Sequence, residues 1–351
     1  MTKAAAKPPS TERYTALALQ TRCDAVNRDK SAKDARARMK GAVARVAEEI
    51  GAAKGFLKGF NGYDLKLVVL PEYWMTGFPL GESREQWREK AVIDIGDEFE
   101  QAMAAVAKKL GVYLCSNHYE NDPAFGDLYF QANVAYSPRG ETVLRYRRMI
   151  SLYSPTPYDV WDAYLEKYGI DSVFPVAETE IGVLGMIASE EILYPEIARM
   201  FALKGAEILL HPTSEVGAPA LTPKDIAKRA RAIENMAYVV SANTGGLSGT
   251  PVPANSTDMM SKIVDWMGRV VAEAGAGETM NANAVIDLAG LRDARARTGM
   301  SNLLSRLPLA AFRHGYKADR ALPNRTPDGR MIERAEAIRL QQQTIENMFR
   351  R

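Results

Sequence analysis

The sequence has 351 residues, 46% hydrophobic and 25% charged, which allows two domains of about 150 residues or one large layered α/β domain. It excludes a collagenous, coiled-coil or largely disordered chain. With 45 basic against 43 acidic side chains the formal net charge is +2, so nothing draws in nucleic acid or an anionic membrane, and neither is expected as a partner.

Residues 1–12 are polar and contain prolines, and predict a flexible N-terminus. YTALALQ, ending at Gln20, reads as a buried strand, and Lys30–Lys54 puts Met39, Val43, Val46 and Ile50 on one helical face. LKLVVL is a second strand, running into Pro71 and Glu72. Glu98–Leu110 carries Phe99, Met103, Val106 and Leu110 at helical spacing, and the strand GVYLCSNHY follows. YFQANVAYS and ETVLRYR flank Pro138-Arg139-Gly140 and predict a hairpin. Residues 151–180, rich in Tyr, Pro and Asp, predict long loops that shape a site.

EIGVLGMIAS is a near-continuous apolar run, hence a buried strand, and it breaks at Ser189-Glu190-Glu191. A helix is expected from Pro195 to Gly205 with Ile197, Met200, Phe201 and Lys204 on its inner face. The strand EILLH, a loop from 212 to 223, the helix KDIAKRARAIENMA and the strand YVVSAN come next. SKIVDW and RVVAEAG are joined through Met267-Gly268 and followed by NAVIDL. Strands alternating with helices, together with hairpins, predict an α/β domain with mixed sheets over 13–290. The extension 291–351 is Arg-rich and ends in a helix with the broken stripe Ile332, Ala335, Ile338, Ile345 and Met348. That stripe reads as a surface helix or a subunit contact.

The two cysteines, Cys23 and Cys115, are too few for a disulfide framework or a Cys-rich zinc site. The N-terminus has no apolar signal core, and no apolar run reaches about 18 residues. A cytoplasmic protein is expected.

Three apolar strands end abruptly in polar residues, and in α/β sheets that edge is where ligands bind. VVLPEYWMTGFP places Glu72 after a strand, and Tyr73, Trp74 and Phe78 beside it are expected to desolvate a general base. VLRYRRMI sends Tyr146 and Arg148 to one face and Arg145 and Arg147 to the other. An inward arginine needs an acidic or anionic partner. IASEEILYPE puts Ser189 at a strand-to-helix junction, the place for an exposed nucleophile, although a serine there is commonly only a cap. It is not a GxSxG elbow. Of the three histidines, His211 ends the strand after the Ser189 helix and reads as a satisfied strand-end residue rather than a catalytic base. No zincin motif, phosphate loop or dinucleotide fingerprint is present, so neither metal nor cofactor is implied.

Taken in order, VVLPEYWMTGFP, VLRYRRMI, EIGVLGMIASEEILYPEIARMFALKGAEILLHPTSE, RARAIENMAYVVSAN and SKIVDWMGRVVAEAG closely resemble the carbon–nitrogen hydrolase (nitrilase) superfamily over about residues 13–290. The resemblance implies a four-layer αββα sandwich with mixed sheets that assembles as a homodimer or higher homo-oligomer. It also implies cofactor-free hydrolysis of amide, nitrile or carbamoyl groups by a Glu, Lys, Cys triad. Glu72 matches the glutamate, Arg148 stands at the lysine position and Ser189 at the cysteine position. Asp159 is the nearest candidate for a second family glutamate. Tyr73, Asp159, Trp161 and Glu190 are candidate substrate contacts, and the loops 151–180 and 244–260, with Tyr153 and Tyr158, are expected to shape the pocket. A serine hydroxyl needs a base within hydrogen-bond reach, a role open to Glu72, while arginine keeps a charge for an oxyanion but gives up no proton. Three readings stay open: a serine variant of the hydrolase, a non-catalytic relative that binds a ligand or partner, and an introduced Cys→Ser change, which leaves Arg148 unexplained.

Overall fold

The computed structural model describes residues 11–151, 154–215, 217, 222–316 and 334–349. Its first half supplies strands β1 (Arg13–Ala18), β2 (Cys23–Asp24), β3 (Leu65–Val69), β4 (Val92–Asp94), β5 (Tyr113–Asn121), β6 (Tyr129–Tyr136) and β7 (Thr142–Arg147). The second half supplies β8 (Ala177–Thr179), β9 (Gly182–Met186), β10 (Ile208–Pro212), β11 (Tyr238–Ala242), β12 (Leu247–Ser248), β13 (Lys262–Val264), β14 (Val270–Glu273) and β15 (Asn283–Asp287). One sheet runs β15-β1-β3-β5-β6-β7, with β4 also paired to β5; the other runs β14-β13-β11-β10-β9-β8. β1, β3 and β5 are parallel, as are β9, β10 and β11, and antiparallel strands flank both sets.

Strand alternation builds the layers. Tyr14, Ala16 and Ala18 of β1 point into the space between the sheets, where Cys115, Leu144 and Tyr146 meet Leu184, Met186 and Val240. Leu17 points the other way, against Met39, Val46 and Ile50 of α1 (Ala32–Asn61), with α2 (Arg84–Ala91) and α3 (Glu98–Leu110) completing that outer layer. After α4 (Trp161–Tyr168), helices α5 (Pro195–Leu203) and α6 (Pro223–Asn235) cover the second sheet through Ile197, Phe201, Ala227 and Ala232. The result is the αββα sandwich expected from the sequence. Gly185 of β9 lets α5 come down onto the strand, since a Cβ there would sit 2.9 Å from that of Phe201.

Several expectations change in detail. Residues 151–180 are not one long loop: they hold α4 and two short 3-10 turns, packed around Phe125, Val160, Tyr164 and Val173. Tyr153 lies outside the described residues. Lys204 is exposed rather than inward, following α5 and donating to the Asp171 carbonyl at 3.1 Å. Most of the expected flexible N-terminus is likewise outside the described residues, but Thr11 is anchored, its N–H donating to the Glu180 carbonyl at 2.7 Å. α7 (Leu288–Ala296) runs across residue 290, and α8 (Leu309–Gly315) and α9 (Arg334–Phe349) follow. In α9 the buried residue is Ala337, whereas Ala335, Ile338 and Ile345 face outward and Ile332 is outside the described residues. Among the described residues no helix is long and apolar enough to cross a membrane.

Candidate active site

Glu72 follows β3 at the carboxyl end of the parallel strands and is 1% exposed. Its backbone N–H donates to the Thr213 carbonyl at 3.2 Å, which ties the end of β3 to the loop after β10 in the opposite sheet. The carboxylate is held from three directions. Oε1 accepts from Gln131 Nε2 at 2.7 Å and from Arg148 Nη1 at 3.3 Å, and Oε2 accepts from the Ser214 N–H at 3.1 Å. Gln131 is fixed in turn: its Oε1 accepts from Arg148 at 2.7 Å and its amide donates to Asn117 Oδ1 at 3.2 Å, while Asn117 donates to Asn133. A fully bonded polar layer of this kind locks a side chain's orientation.

The alternation predicted for β7 is realised. Tyr146 points between the sheets, and the next residue on that side, Arg148, reaches Glu72. Four of its five N–H donors are taken: Nε gives to the Ile150 carbonyl at 2.6 Å, Nη1 to Glu72 and Gln131, and Nη2 faces the Glu190 carboxylate. Burial alone would weaken the guanidinium's hold on its proton, but Tyr73, Glu72, Glu190 and Glu191 outweigh it, so Arg148 stays charged. The second carboxylate against Arg148 is therefore that of Glu190. Asp159 accepts from the Thr156 N–H at 2.8 Å and from its hydroxyl at 3.0 Å, closing a turn. Trp161 opens α4 and meets the Tyr158 ring at 5.5 Å.

Arg145 and Arg147 face the other side, where Arg145 pairs with Glu100 and Glu120, and Arg147 with Glu120 at 2.6 Å and Asp122 at 2.8 Å. Among the described residues, Glu100, His118 and Glu120 are the group compact enough to hold a metal ion. The two arginines already occupy its carboxylates, so the donor set suits an ion-pair lattice better than a divalent cation.

Ser189 begins the turn after β9 and is 4% exposed, with φ +48°. A non-glycine residue stays in that region only when its surroundings hold it there. Two groups do so. His211 Nε2 donates to the Ser189 carbonyl at 2.9 Å while Nδ1 contacts Ser241 Oγ at 2.9 Å. Burial, with Lys228 nearby, pushes this imidazole down to about 3, so it is neutral. His211 thus positions the backbone of Ser189 and does not act on its hydroxyl. Glu191 accepts from the N–H groups of Ala188, Met149 and Ile150 and from the Tyr146 hydroxyl, joining the Ser189 turn to the end of β7. Burial pushes its carboxyl up to about 7 despite these donors.

The Ser189 hydroxyl meets a residue that sequence reasoning missed. Lys224, in the first turn of α6, donates from Nζ to Ser189 Oγ at 3.2 Å and approaches Thr213 Oγ1 at 3.5 Å. Ser189, Lys224, the 213–214 loop, Glu72, Arg148 and Glu190 thus form a closed ring of contacts, bringing together all three residues expected to be catalytic. Of the surrounding aromatics, Tyr73 stacks on Tyr119 at 5.3 Å, whereas Trp74 joins the outer core and donates to Ser116 at 3.0 Å. Cys23 and Cys115 are both buried, and burial raises both thiols above their usual range.

The family model described as carbon-nitrogen hydrolase matches residues 37–296. The chain belongs to the carbon–nitrogen hydrolase family. This family member is 26% identical over 249 residues to the omega-amidase NIT2 of Danio rerio, covering 71% of this chain and 86% of that protein. It is 32% identical over 199 residues to a nitrilase of Pyrococcus abyssi, covering 55% and 68%. Among solved structures, a carbon–nitrogen hydrolase from Helicobacter pylori superposes with a TM-score of 0.65 at 22% identity, over 87% of this chain and 99% of the other, a likeness of fold.

Proposed function

We propose that this carbon–nitrogen hydrolase cleaves a non-peptide C–N bond in a small amide, nitrile or carbamoyl compound, with Ser189 as the nucleophile. The observation that carries the reading is the ring of contacts that gathers Glu72, Arg148 and Ser189 at the carboxyl ends of strands from both sheets. Relatives whose names state omega-amidase and nitrilase activity support the bond type. Glu72, held by Gln131, Arg148 and Ser214, is the general base of the site. Arg148 supplies fixed positive charge to the oxyanion through its one uncommitted N–H. Glu190, bonded to Arg148 beside the nucleophile, and Tyr73 border the place where substrate sits.

Assembly with a second copy belongs to the same reading, since α5, α6 and their borders expose Leu193, Tyr194, Leu203, Ile226 and Ile233. A monomeric mass in light scattering counts against it. The activity test is a panel of amides, nitriles and carbamoyl compounds scored for ammonia or amine release. Turnover that disappears in Ser189→Ala is expected; a wild-type protein inert on the whole panel, or a Ser189→Ala variant as active as wild type, removes the reading.

A further inference from the structure

We infer that Lys224 is a catalytic residue, the proton acceptor for the Ser189 hydroxyl, so that the reaction opens with a serine–lysine pair. This rests on the reading of Ser189 as nucleophile. A hydroxyl is a poor nucleophile unless a base within hydrogen-bond distance takes its proton as it attacks. Among the described residues, the hydrogen-bond partner of Ser189 Oγ is Lys224 Nζ, at 3.2 Å. Arg148, which occupies the place where the family resemblance implies a lysine, has four donors committed and cannot work as a base. Lys224 restores a proton-accepting amine to the site from a different element.

The amine is placed, not merely near. Thr222 caps α6, its hydroxyl oxygen accepting from the Asp225 N–H at 3.2 Å, and Pro223 presets the first turn. One turn further on, Lys228 is buried against Glu215 at 3.0 Å, and Thr222 donates to the same carboxylate at 2.9 Å. The first turn of α6 is thereby pinned to the loop that also holds Glu72 through Ser214. Charged and titratable groups that face Lys224 include Glu215 from that loop and His211 from β10, with Lys228 one turn along its own helix. His211 is neutral and Glu215 is shared with Lys228, which leaves the amine to face the hydroxyl.

The proton balance closes. Neutral Lys224 takes the Oγ proton as the Oγ–C bond forms and the carbonyl electrons move to oxygen. The ammonium returns that proton to the nitrogen as the C–N bond breaks, releasing the amine and leaving an ester on Ser189. Glu72 takes a proton from water as the water oxygen attacks the ester, and gives it to Oγ as the C–O bond breaks, releasing the acid.

The test is covalent labelling by a fluorophosphonate, in which Ser189 Oγ bonds to phosphorus and fluoride leaves. Adduct formation at Ser189 is followed by mass spectrometry across a pH series, beside amide turnover. In the wild type Ser189 is expected to label. Lys224→Met and Lys224→Arg both slow it by about 100-fold or more, the range for loss of a general base. Arginine keeps the charge and the hydrogen bond, so its failure separates proton transfer from simple positioning. Added ethylamine partly restores labelling in Lys224→Ala. Labelling of Lys224→Arg at the wild-type rate, or a wild-type Ser189 that never labels, overturns the inference. Lysine-dependent labelling without turnover of any amide leaves the serine–lysine pair standing and removes the C–N hydrolase reading. Turnover indifferent to Lys224 does the reverse.

Discussion

The three arginines at the end of β7 and just beyond it sort into two environments that differ in what they leave open. On the outer face, Arg145 and Arg147 sit in a lattice with Glu100, Glu120 and Asp122, and the Arg147 guanidinium also lies 5.0 Å from the ring centres of Phe130 and Tyr168. On the inner face, Arg148 shares its donors among two carboxylates, an amide and a carbonyl and keeps one in reserve. The first arrangement pairs charge with charge, and its product is rigidity. The second gathers a carboxylate, a guanidinium, an amine and a hydroxyl into one ring of contacts, the arrangement on which the proposed reactivity rests.

Substitutions on the two faces should separate turnover from stability. The largest expected effect is Glu72→Gln, which removes the proposed base for water and is predicted to lower kcat about 10²–10⁴-fold, measured by amine release. Its urea midpoint should move less than that of any change in the outer lattice. Arg147→Met takes the arginine from Asp122 and leaves the buried Glu120 with Arg145 alone, and is predicted to cost about 3–5 kcal/mol in urea unfolding while leaving turnover by the folded fraction near wild type. If Arg147→Met instead destroyed activity without loss of stability, the division between the two faces would collapse. A smaller effect is expected for Gln131→Leu. It takes one donor from Glu72 and one acceptor from Arg148, and about a tenfold loss of kcat is expected with substrate KM little changed.

The smallest effect is a pH dependence. Burial would raise the Glu215 carboxyl, but Lys228 and Lys224 override it and hold it down at about 2. A depressed acid contributes stability that is present above its unfolded value near 4.5 and fades as pH falls toward 2. Urea midpoints should therefore drop across that window, and Glu215→Gln should flatten the drop.

Much of this was legible in the chain. Glu72 and Ser189 stand where apolar runs end, and the period of two along VLRYRR separates Arg148 from its neighbours, so the site's backbone follows from patterning. The polar layer behind Glu72 left a weaker trace, since Asn117, Gln131 and Asn133 interrupt strands that otherwise read as buried. Lys224 left none: a lysine in the first turn of KDIAKRAR reads as a solvated helix residue, and only the packing of α6 on β11 and on the turn that begins at Ser189 brings it to Ser189. Asp159 was drawn in by chain proximity to the arginine, whereas the second carboxylate on Arg148, beside Glu72, comes from Glu190, distant in sequence and delivered by the second sheet.

The clamp on the Ser189 carbonyl has a kinetic consequence. Because burial keeps His211 uncharged down to about pH 3, the donor that maintains the turn's left-handed posture is the same at every pH where the fold persists. Through this contact acidity has no lever on the Ser189 backbone; its lever is Glu191, the other group that holds the turn, whose carboxyl burial pushes up to about 7. A pH–rate profile of this protein therefore carries the Glu191 carboxyl alongside any side chain that exchanges protons with Ser189.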